Sequence, residues 1–191
     1  MTPPKTALED GKVSAGSYRN ASLGLTCKIP AGWVLRTEDM NARDASTEQN
    51  QNPSPQGSQS SAGESTSGRV LLAAFSRPPE ARGEDVNASI VIAAEKADAY
   101  PGLKEAVQYF GPLTEVAKAQ GFAVDEEPYE FSIGTKKLVR GDFHKNVGTR
   151  VMRQSTLAFL AQGYAVSITV IGGTEDEVEG LVDGISFGAA K

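Results

Sequence analysis

From Ser22 to Ile29 the chain alternates: Leu23, Leu25, Cys27 and Ile29 fall in one register, and Ser22, Gly24, Thr26 and Lys28 in the other. A period of two predicts a half-buried strand with Cys27 on its apolar side. Two later runs, "VLLAAF" (Val70 to Phe75) and "ASIVIAA" (Ala88 to Ala94), are apolar in both registers. They predict strands covered on both faces. In "PGLKEAVQYFGPLTEVAKAQG" the period changes: Leu103, Val107 and Phe110 recur at helical spacing, and Val116 and Ala117 continue the stripe. Pro101 suits a first helical turn and Gly121 a C-terminal cap. Pro112 removes a helical hydrogen bond, so a kink or two short helices meeting at Gly111 are expected.

A run of hairpins follows. Strands are predicted at Tyr129 to Ile133, Leu138 to Lys145, Arg150 to Leu160 and Tyr164 to Ile171, with turns at Gly134-Thr135, Asn146 to Gly148 and Gln162-Gly163. The acidic stretch Asp125 to Pro128 reads as a solvated connection before them. In "GGTEDEVEGLVDGISF", Thr174 followed by Glu177 forms a capping box, and Val178, Leu181, Val182 and Ile185 form one apolar face. A short strand at Ile185 to Phe187 closes the chain. These elements predict an α+β domain in which an antiparallel β-sheet is sandwiched between helices, an α/β/α sandwich.

Residues 42–68 hold almost no large apolar side chain. Such a segment cannot offset the entropy of ordering, so a disordered insertion is expected there, and a long surface insertion costs a fold little. Residues 1–16 are polar and read as a flexible lead, leaving 17–188 as one domain.

Composition then narrows the function classes. The chain has 191 residues and a net charge of −5, without the basic stripe that binds phosphate backbones, so nucleic acid is not an expected partner. No run approaches the length of a membrane span, although a lipid anchor upstream of Thr2 is compatible with the sequence. The polar, Pro-containing lead-in is of the kind that follows a removed export signal, which suggests a periplasmic or secreted protein; the fraying terminus of a cytoplasmic protein fits equally well.

The start of the chain also carries a resemblance. "Y-x-N" at Tyr18 to Asn20, a short strand ending in "IPAGW" and an acidic helix leading to "ISF" resemble the PsbP-like superfamily. That group includes the extrinsic photosystem subunit PsbP, bacterial DcrB-type lipoproteins and a Ran-binding nuclear import factor. The resemblance implies an antiparallel sheet between helical layers and a role in binding or assisting other proteins, with no shared chemistry and no cofactor. Physically, Pro30 cannot donate to a ladder and stops the pairing. Trp33 can then fold its ring over the end of the core.

The sharpest chemical candidate is "LVRGDFHK". On a strand Arg140, Asp142 and His144 share one face, successive members roughly 6.6 Å apart, while Val139 and Phe143 face a core layer. Arg150 or Arg153 joins them, depending on register. The group reads as a solvated charge cluster, as a protein-contact patch of Arg140, Asp142, His144 and Arg153, or as the site of a small hydrolase with His144 as base oriented by Asp142. A metal site is not expected from one His and one Cys. The Gly-rich turn before Thr174 is not a phosphate cradle, because Glu175, Asp176 and Glu177 occupy the positive helix end.

Overall fold

A computed structural model describes residues 8–41, 68–78, 81, 86–100 and 102–188. The insertion expected at 42–68 lies outside them except for Gly68, which begins a strand. Pro101 also lies outside.

Eleven strands are seen among the described residues, and all pair antiparallel. Strands β1 (Lys12–Ser14), β2 (Ser17–Asn20), β3 (Leu25–Lys28) and β11 (Ile185–Phe187) form a four-stranded sheet in that order. The larger sheet has seven strands: β4 (Val34–Leu35), β5 (Gly68–Phe75), β6 (Ser89–Lys96), β10 (Tyr164–Gly172), β9 (Arg150–Ala161), β8 (Lys136–Val147) and β7 (Ala123–Ile133). The α+β class and hairpin order follow the sequence. The cover of the sheet is what differs from expectation.

Alternation along β9 sends Leu157 and Phe159 to one face, where the main core also holds Leu25, Cys27, Ile92, Ile168 and Leu181. Ala158 goes to the other, with Tyr109, Phe110, Phe122 and Phe143. Helix α1 (Ala106–Ala119) packs on this second face against β7, β8 and β9. Helix α2 (Glu175–Asp183) packs against β9, β10 and β11, and the small sheet contributes to the same core. Strands thus supply part of a layer that the sequence assigned to helices, because the period-two pattern of Tyr18 to Ile29 belongs to a second sheet.

Local chemistry explains the ends of the elements. Helix α1 begins at a capping box in which Glu105 and Gln108 bond each other's backbone N–H. It ends on Gly121 at φ +93°, with Phe122 N–H donating to Ala117 (3.0 Å) and Gly121 N–H to Lys118 (2.9 Å). Those two bonds make a Schellman motif, a left-handed position that glycine fills without strain. The helix runs through Pro112 as one element, not two. Its apolar stripe is also rotated from expectation: Tyr109, Phe110 and Ala117 are buried, whereas Val107 and Val116 are exposed. Gln162 and Gly163 both have positive φ and make the two-residue turn that a twisted hairpin favours.

The opening motif is structural throughout. Tyr18 Oη donates to the Asp10 carbonyl (2.8 Å) and accepts from Asn20 Nδ2 (3.1 Å), while Asn20 Oδ1 accepts from Leu23 N–H (3.1 Å). Leu8 is buried and β1 pairs with β2, so part of the expected lead is built into the sheet. Strand β3 ends before Pro30, Gly32 turns at φ +81°, and half-buried Trp33 packs against the main core.

Both edges of the large sheet are blunted. The edge strand β4 pairs only with Ala74 and Phe75 of β5; beyond it, Thr37 Oγ1 accepts from Ala73 N–H (3.0 Å), and the Asn41 amide both donates to the Val70 carbonyl and accepts from its N–H (2.9 Å each). At β7 the pairing with β8 shifts register twice, around Glu126, and Pro128 lies within the strand. Asp125 to Pro128, read from sequence as a connection, is therefore part of an irregular edge strand.

Cys27 is fully buried, and burial pushes its thiol from 9.0 up to about 12. The thiol is neutral in the fold, so its contribution to stability is whole below pH 9 and is lost as the pH rises from there towards 12. Native protein at pH 8 should resist iodoacetamide while urea-unfolded protein alkylates at once, read by mass spectrometry; rapid native labelling would contradict a sealed core.

Candidate functional site

The register of the hairpins assembles the polar face. Arg140 stands opposite Leu157, Asp142 opposite Ser155, and His144 opposite Arg153. Arg153, rather than Arg150, therefore shares the face of Arg140 and Asp142. Across β7, Tyr129 stands opposite Arg140 and Glu126 opposite Asp142.

Of these, Arg140, Asp142, Arg153, Ser155, Tyr129 and Glu126 line a cleft of about 520 Å³. Its floor is β8 and β9 with Arg140, Asp142, Ser155 and Arg153. One wall is β7 with Asp125, Glu126 and Tyr129, and the other is α2 with Glu175, Val178 and Glu179. Arg140 is the buried centre. Its Nε donates to Asp142 Oδ1 (3.0 Å), one terminal nitrogen donates to Ser155 Oγ (3.1 Å), and the fork reaches both carboxylate oxygens of Glu179. Its guanidinium also lies over the Phe131 ring, 5.0 Å from the centroid.

Asp142 is held in turn by Tyr129 Oη, which donates to Oδ2 (2.8 Å), and by Ser155 Oγ, which donates to Oδ1. Burial alone would lower the Arg140 pKa, but the bonds to Glu179 and then Asp142 outweigh it and hold the group above its usual value. Burial, followed by the bond to Asp142, raises the Tyr129 phenol. The network keeps Arg140 charged and Tyr129 neutral, and it ties α2 to the sheet floor.

His144 stands apart. Its Nδ1 bonds the carboxylate of Asp125, and it is not among the residues lining the cleft. Asp142 does not orient it, contrary to the hydrolase reading. Two residues apart on one strand face, the groups lie beyond hydrogen-bond reach, and each finds its partner across the ladder. The bulged β7 carries Asp125 to His144. Among the described residues no hydroxyl or thiol bonds to His144, and no group of three or more His, Cys, Asp or Glu could hold a metal ion.

Sequence reasoning put Arg140, Asp142 and His144 on one strand face, with Arg150 or Arg153 beside them; the cleft takes in Arg140, Asp142 and Arg153, and Tyr129, Ser155 and Glu179 were missed. Tyr129 and Ser155 follow once the two turns fix the register. Glu179 lies on the polar side of an otherwise solvated helix turn, and no local signal sets it apart from its acidic neighbours.

No protein-family model matches the chain. No curated protein matches it in sequence. Solved structures do resemble it. LpqN of Mycobacterium tuberculosis, a protein involved in cell envelope biogenesis, is 11% identical over 86% of this chain and 83% of its own, with a TM-score of 0.38. The Ran-binding protein Mog1p of Saccharomyces cerevisiae is 11% identical over 86% of this chain and 90% of its own, with a TM-score of 0.42. PA94 of Pseudomonas aeruginosa, of unknown function, is 16% identical over 62% of this chain and 76% of its own, with a TM-score of 0.38. At such identity and overlap these likenesses carry no argument about activity or partner. Among the described residues, no helix is long and apolar enough to cross a membrane.

Proposed function

We propose that this chain is a non-enzymatic protein-binding or accessory module of PsbP-like fold, exported by a bacterium. The contact face is the cleft between β7 and α2, with Arg140 and Asp142 as its fixed floor, Arg153 as a contact residue and His144 at its margin. One observation carries the reading. The charged groups at the centre of the cleft are committed to the chain itself, Arg140 to Asp142, Ser155 and Glu179, and beside the cleft His144 is bonded to Asp125. Catalysis needs a general base free to take a proton from a substrate, whereas a rigid polar floor with an uncommitted cation at its edge suits recognition of another protein.

Tagged protein recovered from its native host is expected to carry one stoichiometric partner, and Arg153→Glu is expected to release it. His144→Ala should keep the partner and leave any hydrolytic turnover of the preparation unchanged. Absence of a stoichiometric partner, or loss of an activity with His144→Ala, would overturn the proposal.

A further inference from the structure

Strand β7 ends the seven-stranded sheet, and beyond the irregular stretch at Asp125 to Pro128 it runs in regular register from Tyr129 to Ile133. Ile133 stands opposite Lys136 across the two-residue turn Gly134-Thr135, with Gly134 at φ +61°. Such a turn closes on a hydrogen-bonded pair. Bonding alternates from there along the ladder, so Phe131 and Tyr129 also bond β8, while the N–H and C=O of Glu130 and Ser132 point away from the sheet. Among the described residues no other part of the chain bonds these outward groups. Glu130 and Ser132 are exposed, whereas Tyr129, Phe131 and Ile133 alternate onto the other face and are half-buried.

From this edge we infer that a second copy of the chain adds its own β7 antiparallel, joining the two large sheets about a two-fold axis at Phe131. The edge is self-complementary in that register. Glu130 of each copy meets Ser132 of the other, both with outward backbone groups, so each pair exchanges its N–H···O bonds in both directions. Phe131 meets Phe131 in the closer, non-hydrogen-bonded pairing, where an aromatic pair is stabilising, and Tyr129 meets Ile133. The pairing ends at the same place for both copies, because Pro128, which has no N–H to donate, faces the Gly134 turn. Other registers fit worse. An axis at Glu130 opposes two carboxylates and sets Pro128 against Ser132, and an axis at Ser132 runs Glu130 into the turn. An axis between two residues sets outward groups against ones already bonded to β8. The contact uses β7 of both copies, so it closes at two.

The contact is short, so association is expected to be weak and to grow with concentration. Sedimentation equilibrium of the full chain, carried up to about 1 mM, should show monomer giving way to dimer and to nothing larger. In amide hydrogen exchange followed by NMR, the Glu130 and Ser132 N–H groups should exchange freely in dilute protein and slow about tenfold or more as the dimer forms. Ser132→Pro removes an outward N–H without touching the bonds to β8, and should raise the dimer Kd about tenfold or more. Ser132→Glu should do the same by setting a second carboxylate against Glu130 of the other copy. Within its own copy that glutamate faces Lys137 across the ladder, so the variant should fold, as circular dichroism would verify. Protein that stays monomeric throughout would overturn the inference and leave the edge to a strand of another protein or to water. A dimer whose two amides stay unprotected, a dimer indifferent to both substitutions, or growth beyond two copies would overturn it as well.

Discussion

Arg140→Ala is expected to destabilise the fold by about 3 kcal/mol, the lower end of what removing one partner from a buried ion pair costs. The lower end applies because the two carboxylates differ in exposure. The Arg140 side chain is 6% exposed, but that of Glu179 is 45% exposed and can turn into water once its partner is gone. Asp142 is 22% exposed and keeps its bonds from Tyr129 and Ser155. What remains is a half-buried carboxylate without a cation and a helix without its polar tie to the sheet. In a chain of this size the loss lowers Tm by roughly 6–12 °C. Urea denaturation followed by circular dichroism measures it directly. Arg140→Lys should recover part of the loss by keeping the charge without the fork. A loss below about 1 kcal/mol would put the network on a par with a surface ion pair and remove its claim to fix α2.

Phe110→Ala is expected to cost more, about 3–5 kcal/mol, because it empties the contact between α1 and the second face of the sheet. Phe110 is 2% exposed and sits directly over Gly141 on β8. A Cβ placed on Gly141 would stand 2.6 Å from Phe110 Cε1 and 3.2 Å from Cδ1. Gly141→Ala alone should therefore destabilise by about 1–3 kcal/mol, the range for overpacking. In the Phe110→Ala background the new methyl enters vacated space, so the double variant should be no less stable than Phe110→Ala alone. That coupling is what a double-mutant cycle isolates. Additive losses would mean that α1 does not press on Gly141.

The elements were legible where period and turn chemistry agreed. The strands of Leu138 to Ile171, the capping of α2 at Thr174, where Oγ1 accepts from Glu177 N–H at 3.1 Å, and the cap at Gly121 all follow from local rules. Three features were not legible, each for a physical reason. Pro112 should break a helix by propensity, but burial of Phe110 and Ala117 on either side holds the helix together. Asp125 to Pro128 looked like a loop because an edge strand tolerates charge, bulges and proline. The second sheet was hidden because pairing between β3 and β11 joins segments far apart in the chain, and no local pattern records it. The cleft was half legible for the same reason. Arg140, Asp142 and Arg153 lie near one another through a single hairpin, while Glu179 reaches Arg140 only through tertiary packing.

The two blunted margins of the seven-stranded sheet bear on how the molecule behaves in a crowd. A bare pleated margin templates the addition of further chains, end on end, into fibrils. Here the amide of Asn41 takes both backbone groups of Val70 at one margin, and twisted, proline-bearing acidic chain occupies the other. Among the described residues, the margins at Val70 and at Asp125 to Pro128 thus give an incoming copy no regular backbone to pair with, which leaves Tyr129 to Ile133 as the stretch where such addition would have to start.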